Sequence, residues 1–197
     1  MGRSEGAECG RWGLIQDRLW KANPQAMAAA SKRSNSPGEL AHIDSDGDTW
    51  LTPPWILEKL GVFDLDPCAT EYCPDRIAPW YFTKADDGLA QEWLGRVFMN
   101  PPFSNTAPWL EKHARHGSGV SLVPASVESQ VWRRCVWPAA KAICLLHGRT
   151  RFCNPDGSST TGRPLRSVAL IAWSDLDLDI LARADFAGVL LTQWRQL

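Results

Sequence analysis

The stretch RVFMNPPFSN, Arg96 to Asn105, decides how the rest of the chain is read. An apolar run, Val97 to Met99, meets Asn100, two prolines and Phe103. Neither proline can donate to a sheet, and both hold φ near about −65°. A strand must therefore end here in a stiff turn. That turn presents one amide side chain, one carbonyl without a neighbouring N–H and one aromatic face, a set suited to holding something flat.

On either side of this turn, helix and strand signals alternate. TPPWILEKLG places Thr52 at an N-cap, Pro53 and Pro54 in the first turn, Ile56, Leu57 and Leu60 on an apolar face and Gly61 at the stop. VFDLDP reads as a short strand ending at Asp66 and Pro67. PWLEKHARHG reads as a helix closing at Gly117, with His113 and His116 beside Lys112 and Arg115 on a solvent face. GVSLVP, KAICLLHG and SVALIAW read as three further strands, with a helix over VESQVWRRCVW after the first of them. This alternation predicts an α/β fold, a three-layer Rossmann-like domain with a largely parallel sheet. Ligands of such sheets sit beyond the carboxyl ends of the strands, where both LDP and NPPF fall.

Composition narrows the partners. At 197 residues the chain can bury one good core. Residues 1–45 mix small, polar and charged types and read as a flexible tail, leaving 46–197 as the domain. The formal net charge of −1 excludes a global basic field, so any nucleic-acid binding must use a local patch. No apolar run is long enough for a bilayer, and the start MGRSEGAECG has no hydrophobic signal region. The expectation is a cytoplasmic protein with no membrane partner. Six cysteines, at 9, 68, 73, 135, 144 and 153, form no Cys-x-x-Cys pair and have no histidine at a ligand spacing. They read as buried free thiols rather than a metal site.

NPPFS resembles the Asp/Asn/Ser-Pro-Pro-aromatic motif of amino-methyltransferases that use S-adenosylmethionine (SAM). DTWLTPPWILEKLG, FDLDPCA, ADDGLAQEW, VFMNPPFSNTAPWLEK, VSLVPAS and LLHGRTRF, in that order, resemble features of the phage and prophage DNA N-6-adenine methyltransferases of the Dam type. The likeness spans about residues 48–174. It implies a SAM-dependent methyltransferase fold, double-stranded DNA as partner, no obligate protein partner, and transfer of a methyl group to the N6 amine of an adenine flipped out of the duplex.

The same resemblance assigns catalysis to Asn100, Pro101, Pro102 and Phe103, and cofactor contact to Trp50, Thr52, Pro53, Asp66, Pro67, Ala69, Asp87 and Asn100. Thr52 would offer its hydroxyl to the methionine carboxylate and Asp66 its carboxylate to the ammonium group. Asp87 would meet the adenine or ribose of the cofactor. Read alone, Thr52 is an ordinary helix cap, Asp66 equally a turn-former before proline, and Asp86 with Asp87 a solvated acidic turn. The glycine-rich turn usual after the first strand is replaced by CATEYCPD, which leaves Ala69 where close backbone approach is needed. Arg149, Arg151, Arg163 and Arg166 lie in GRTRFCNPDGSSTTGRPLR, a connection able to reach phosphates or guanine edges, or else an exposed hairpin kept soluble by its arginines. Two other functions fit the turn: methylation of a protein glutamine or another amine, and a catalytically silent nucleic-acid-binding relative.

Overall fold

A computed structural model describes residues 50–70, 77–148, 150, 152 and 167–194. The tail, Cys9, Cys73, Cys153 and all four arginines of the 149–166 connection lie outside the described residues.

Helix α1 (Pro54–Leu60) leads into strand β1 (Leu65–Asp66), then β2 (Trp80–Tyr81), a 3-10 turn (Lys84–Asp86) and β3 (Val97–Met99). Helix α2 (Ala107–His116) is followed by β4 (Gly119–Pro124), a π-helical turn (Trp132–Val136), the short α3 (Trp137–Ala139), β5 (Ala142–Leu146), β6 (Val168–Ala172), α4 (Asp175–Arg183) and β7 (Gly188–Leu191). The mixed α/β class expected from the alternation is the one observed. The helix expected over VESQVWRRCVW is widened instead into the π-helical turn, where the Trp137 N–H reaches back five residues to the Trp132 carbonyl. Pro138 has no N–H to continue an ordinary ladder, which gives the widening a physical cause.

The seven strands form one sheet in the order β2-β1-β3-β4-β6-β5-β7. β2, β1, β3 and β4 pair in parallel, whereas β4–β6, β6–β5 and β5–β7 are antiparallel. The expectation of a largely parallel sheet is thus corrected: half the pairings are antiparallel, because β6 inserts between β4 and β5 running against both and β7 in turn runs against β5. Apolar runs carry no direction. A buried antiparallel strand such as VALIA, all five residues buried, looks the same in sequence as a buried parallel one.

The core explains why those runs are continuous. Val97, Phe98 and Met99 of β3 and Val120 and Leu122 of β4 are fully buried. Phe98, Val120 and Leu122 share a cluster with Ile56, Leu60 and Phe63 from the α1 region and Leu181 of α4.

Opposite the carboxyl edge, a charged lock fastens the amino ends of the strands. Asp177, fully buried on α4, accepts from Arg96 Nε at 2.7 Å, from the Gly119 N–H at 2.7 Å and from the Ser174 hydroxyl. The Arg96 guanidinium lies 4.1 Å from the centroid of Phe63 and donates to the carbonyls of Leu60 and Val62. Gly119 is required where it sits, since its φ is +116° and a Cβ would meet the Val97 carbonyl oxygen at 1.9 Å.

His113 departs from its expected solvent face and is completely buried. Its Nε2 donates to the Ser118 carbonyl at 3.1 Å, so its Nδ1 accepts from the Ser121 hydroxyl at 2.8 Å, and Ser121 Oγ accepts from Trp173 Nε1 at 2.7 Å. Burial pushes its pKa down to about 3, which keeps the ring neutral. Every third or fourth residue of α2 faces the sheet whatever its polarity, and a neutral imidazole with both nitrogens satisfied can sit there.

Candidate functional site

β1 and β3 are parallel neighbours with Leu65 opposite Val97, so Asp66–Pro67 and Asn100–Phe103 leave the sheet on the same edge. The two segments singled out in the sequence are thereby brought together. Pro101 is buried, Pro102 exposed and Phe103 half-buried, and Met99 ends β3 immediately before Asn100.

The segment before α1 joins them. Asn100 Nδ2 donates to the Trp50 carbonyl at 2.9 Å and to Thr52 Oγ1 at 3.2 Å. Both amide hydrogens are occupied. Asn100 Oδ1 accepts no hydrogen bond among the described residues. An amide with its NH2 held in this way presents only an acceptor to whatever lies in front of it.

Thr52 does not cap the helix. α1 begins at Pro54 with Pro53 in the capping position, and no side-chain cap bond forms. Two successive prolines remove backbone donors that a cap would satisfy, which leaves the buried Thr52 hydroxyl for Asn100.

The turn after β1 is built by its own aspartate. Asp66, buried, accepts the Cys68 N–H through Oδ1 at 3.0 Å. The Ala69 N–H donates to the Phe82 carbonyl at 3.0 Å. Ala69 therefore has no free N–H for a ligand, and only its small side chain and backbone can pack there. Beside Asp66, burial and that carboxylate's charge push the Cys68 thiol well above its ordinary range, so it stays protonated and unreactive. Cys144, buried, and Cys135, half-buried, are also free thiols, both raised by burial.

The ADDG turn packs against LDP. A Cβ on Gly88 would lie 2.1 Å from the Pro67 carbonyl oxygen, an approach open only to glycine. Asp86 is used locally, closing a capping box in which Oδ2 accepts from the N–H and hydroxyl of Thr83. Asp87 is exposed with φ +51°, and its Oδ1 accepts from the Leu89 N–H at 3.2 Å. Lys112 of α2, expected on a solvent face, donates to the carbonyls of Leu89 and Gln91 and so clamps this turn from the other side.

Three features were not legible in the sequence. Phe152 meets Phe103 edge to face, ring centroids 5.4 Å apart at 86°. Trp80 Nε1 on β2 is buried with no hydrogen-bond partner among the described residues. Lys112 was visible only as one charge among several. The motif ending LLHGRTRF contains Phe152, yet no spacing rule pairs it with Phe103. Arg149, Arg151, Arg163 and Arg166 fall outside the described residues. Among the described residues no group of three His, Cys, Asp or Glu side chains could hold a metal ion, and no helix is long and apolar enough to cross a membrane.

The family model for DNA N-6-adenine-methyltransferase (Dam) matches residues 41–182, most of the chain and all of the described edge. No curated protein and no solved structure matches the chain.

Proposed function

Because the chain belongs to the DNA N-6-adenine-methyltransferase (Dam) family, we propose that it methylates the N6 amine of an adenine in double-stranded DNA, on a Rossmann-like scaffold and with SAM as donor. The observation that carries this reading is the orientation of Asn100, whose NH2 is tied to Trp50 and Thr52 while its oxygen is left open.

The donor set suits SAM. The buried carboxylate of Asp66 at the end of β1 would pair with the ammonium group, with Trp50, Pro53, Pro67 and Ala69 packing around the methionine portion. Asp87 would reach the adenosine portion, its exposed carboxylate held in place by Leu89. When bound, SAM supplies an electrophilic methyl group on a cationic sulfonium.

The exocyclic amine of adenine is a poor nucleophile because its lone pair is delocalised into the ring. Asn100 Oδ1 and the Pro101 carbonyl each accept one amine hydrogen, which favours a tetrahedral nitrogen with a localised lone pair. No strong base is required, and the product releases its proton after transfer. Positioning and preorganised acceptors supply the rate. Phe103 stacks on the flipped base, returning on the order of 1–3 kcal/mol against a flipping cost of a few kcal/mol. Arg149, Arg151, Arg163 and Arg166 contact phosphates or guanine edges.

The test is transfer of a labelled methyl group to unmethylated genomic DNA, followed by sequencing of modified adenines. Label in DNA at N6-methyladenine is expected, and Asn100→Ala should abolish it by about 100-fold or more, the scale of losing one preorganised oxyanion-type partner, while SAM still binds. Label on protein glutamine instead of DNA would overturn the substrate. SAM binding without any transfer would leave a silent relative.

A further inference from the structure

We propose that Phe152 is a positioning residue, which sets the tilt of the Phe103 ring so that a flipped base meets a fixed face; this rests on reading Phe103 as the stacking surface. Phe103 follows two prolines on a turn with an exposed neighbour on each side, Pro102 and Ser104. Nothing in that backbone fixes a side-chain rotamer. Among the described residues Phe152 is the aromatic partner of Phe103, at 5.4 Å between centroids and 86° between planes.

Edge-to-face packing sets an angle as well as a distance, because the positive rim of one ring meets the negative face of the other. Whichever ring supplies the rim, at least one face of Phe103 stays clear of Phe152. Both rings are half-buried and both pack on the main core cluster. The core thus supports both rings, and the edge-to-face contact of Phe152 adds the restraint on the tilt of Phe103. Thr150, two residues earlier, is buried as well. A base entering beside Phe103 would find the ring already tilted, and stacking would not have to freeze a rotating side chain.

The experiment compares Phe152→Ala, Phe152→Leu and Phe152→Tyr with Phe103→Ala and the double alanine variant in the full chain. It measures kcat and KM for DNA methylation, the fluorescence of 2-aminopurine placed at a mapped target adenine, and SAM affinity by calorimetry. Phe152→Ala and Phe152→Leu should both lower kcat by about three- to tenfold, the range expected for one aromatic pair, and weaken the flipping signal with SAM affinity unchanged. Phe152→Tyr should restore both. The double variant should be no slower than Phe103→Ala alone, since Phe152 acts only through that ring. Full activity in Phe152→Ala, or losses in the double variant that multiply, would overturn the inference while leaving the stacking surface intact. Full activity in Phe103→Ala would overturn the stacking surface itself, and this inference with it.

Discussion

The side-chain amide of Asn100 donates to Thr52 Oγ1 at 3.2 Å across 48 residues of sequence, and this bond helps to decide which end of the amide faces outward. Thr52→Val keeps the shape and removes the acceptor. Methyl transfer should fall by about tenfold, the equivalent of one modest hydrogen bond, with KM for DNA little changed. Thr52→Ser keeps the hydroxyl and should retain most of the rate. Steady-state kinetics on the two variants checks this, and equal rates would detach Thr52 from Asn100.

Gly88 lies against the Pro67 carbonyl so closely that Gly88→Ala must displace backbone on one side or the other. Overpacking of this kind costs about 1–3 kcal/mol. The displaced turn carries Asp66, so SAM affinity should drop along with the melting temperature. Gly117→Ala offers a control, because a Cβ there meets nothing within 4 Å, although its φ of +73° still carries a backbone penalty. Loss of melting temperature should accompany both variants, and loss of SAM affinity only the first.

The neutral, buried His113 makes stability depend on pH. Its pKa is about 3 in the folded chain against 6.5 for an unperturbed histidine. The unfolded chain therefore binds a proton that the folded chain refuses in that window. The stability contributed by the neutral ring is complete above pH 6.5 and is lost as pH falls toward about 3, at up to about 1.4 kcal/mol per pH unit. Urea unfolding at pH 7.5 and 5.5 should show this slope, and His113→Gln should flatten it while lowering stability at both values. An unchanged slope in His113→Gln would assign the pH dependence to other groups.

Arg149, Arg151, Arg163 and Arg166 are proposed to meet DNA. Replacing a phosphate-contacting member should reduce the salt dependence of DNA binding by about one counterion and leave SAM affinity alone. Binding titrations over a range of salt check this. Four replacements with no change in affinity or slope would move the recognition surface elsewhere.

Much of the fold could be read from local chemistry. Prolines end β3 after Met99, Gly117 closes α2, with its N–H bonded to the His113 carbonyl, and apolar runs, broken only by Ser121 in β4, mark β3 to β6. β1 and β2 are only two residues long, and β2, β7 and α4 were not anticipated. β2 is held by parallel pairing to β1, which supplies stability that so short a strand cannot generate alone. In α4 the polar Asp177 occupies a core position because Arg96, just before β3, and Gly119, at the start of β4, satisfy it.

By itself, then, the sequence determined the α/β class, the turn that ends β3 and the identity of the side chains that turn displays. Those follow from bonds and sterics within a few residues: a proline lacks a donor wherever it stands, and an apolar run seeks burial wherever it lies. Tertiary structure alone decided the direction of β6, the burial of His113, the partner of Thr52 and the approach of Phe152 to Phe103. Each of these is a contact between residues far apart in the chain or a choice between two pairings of equal hydrophobicity. Such choices are made by the packed whole, in which a buried hydroxyl, imidazole or carboxylate is tolerated only where another segment arrives to satisfy it.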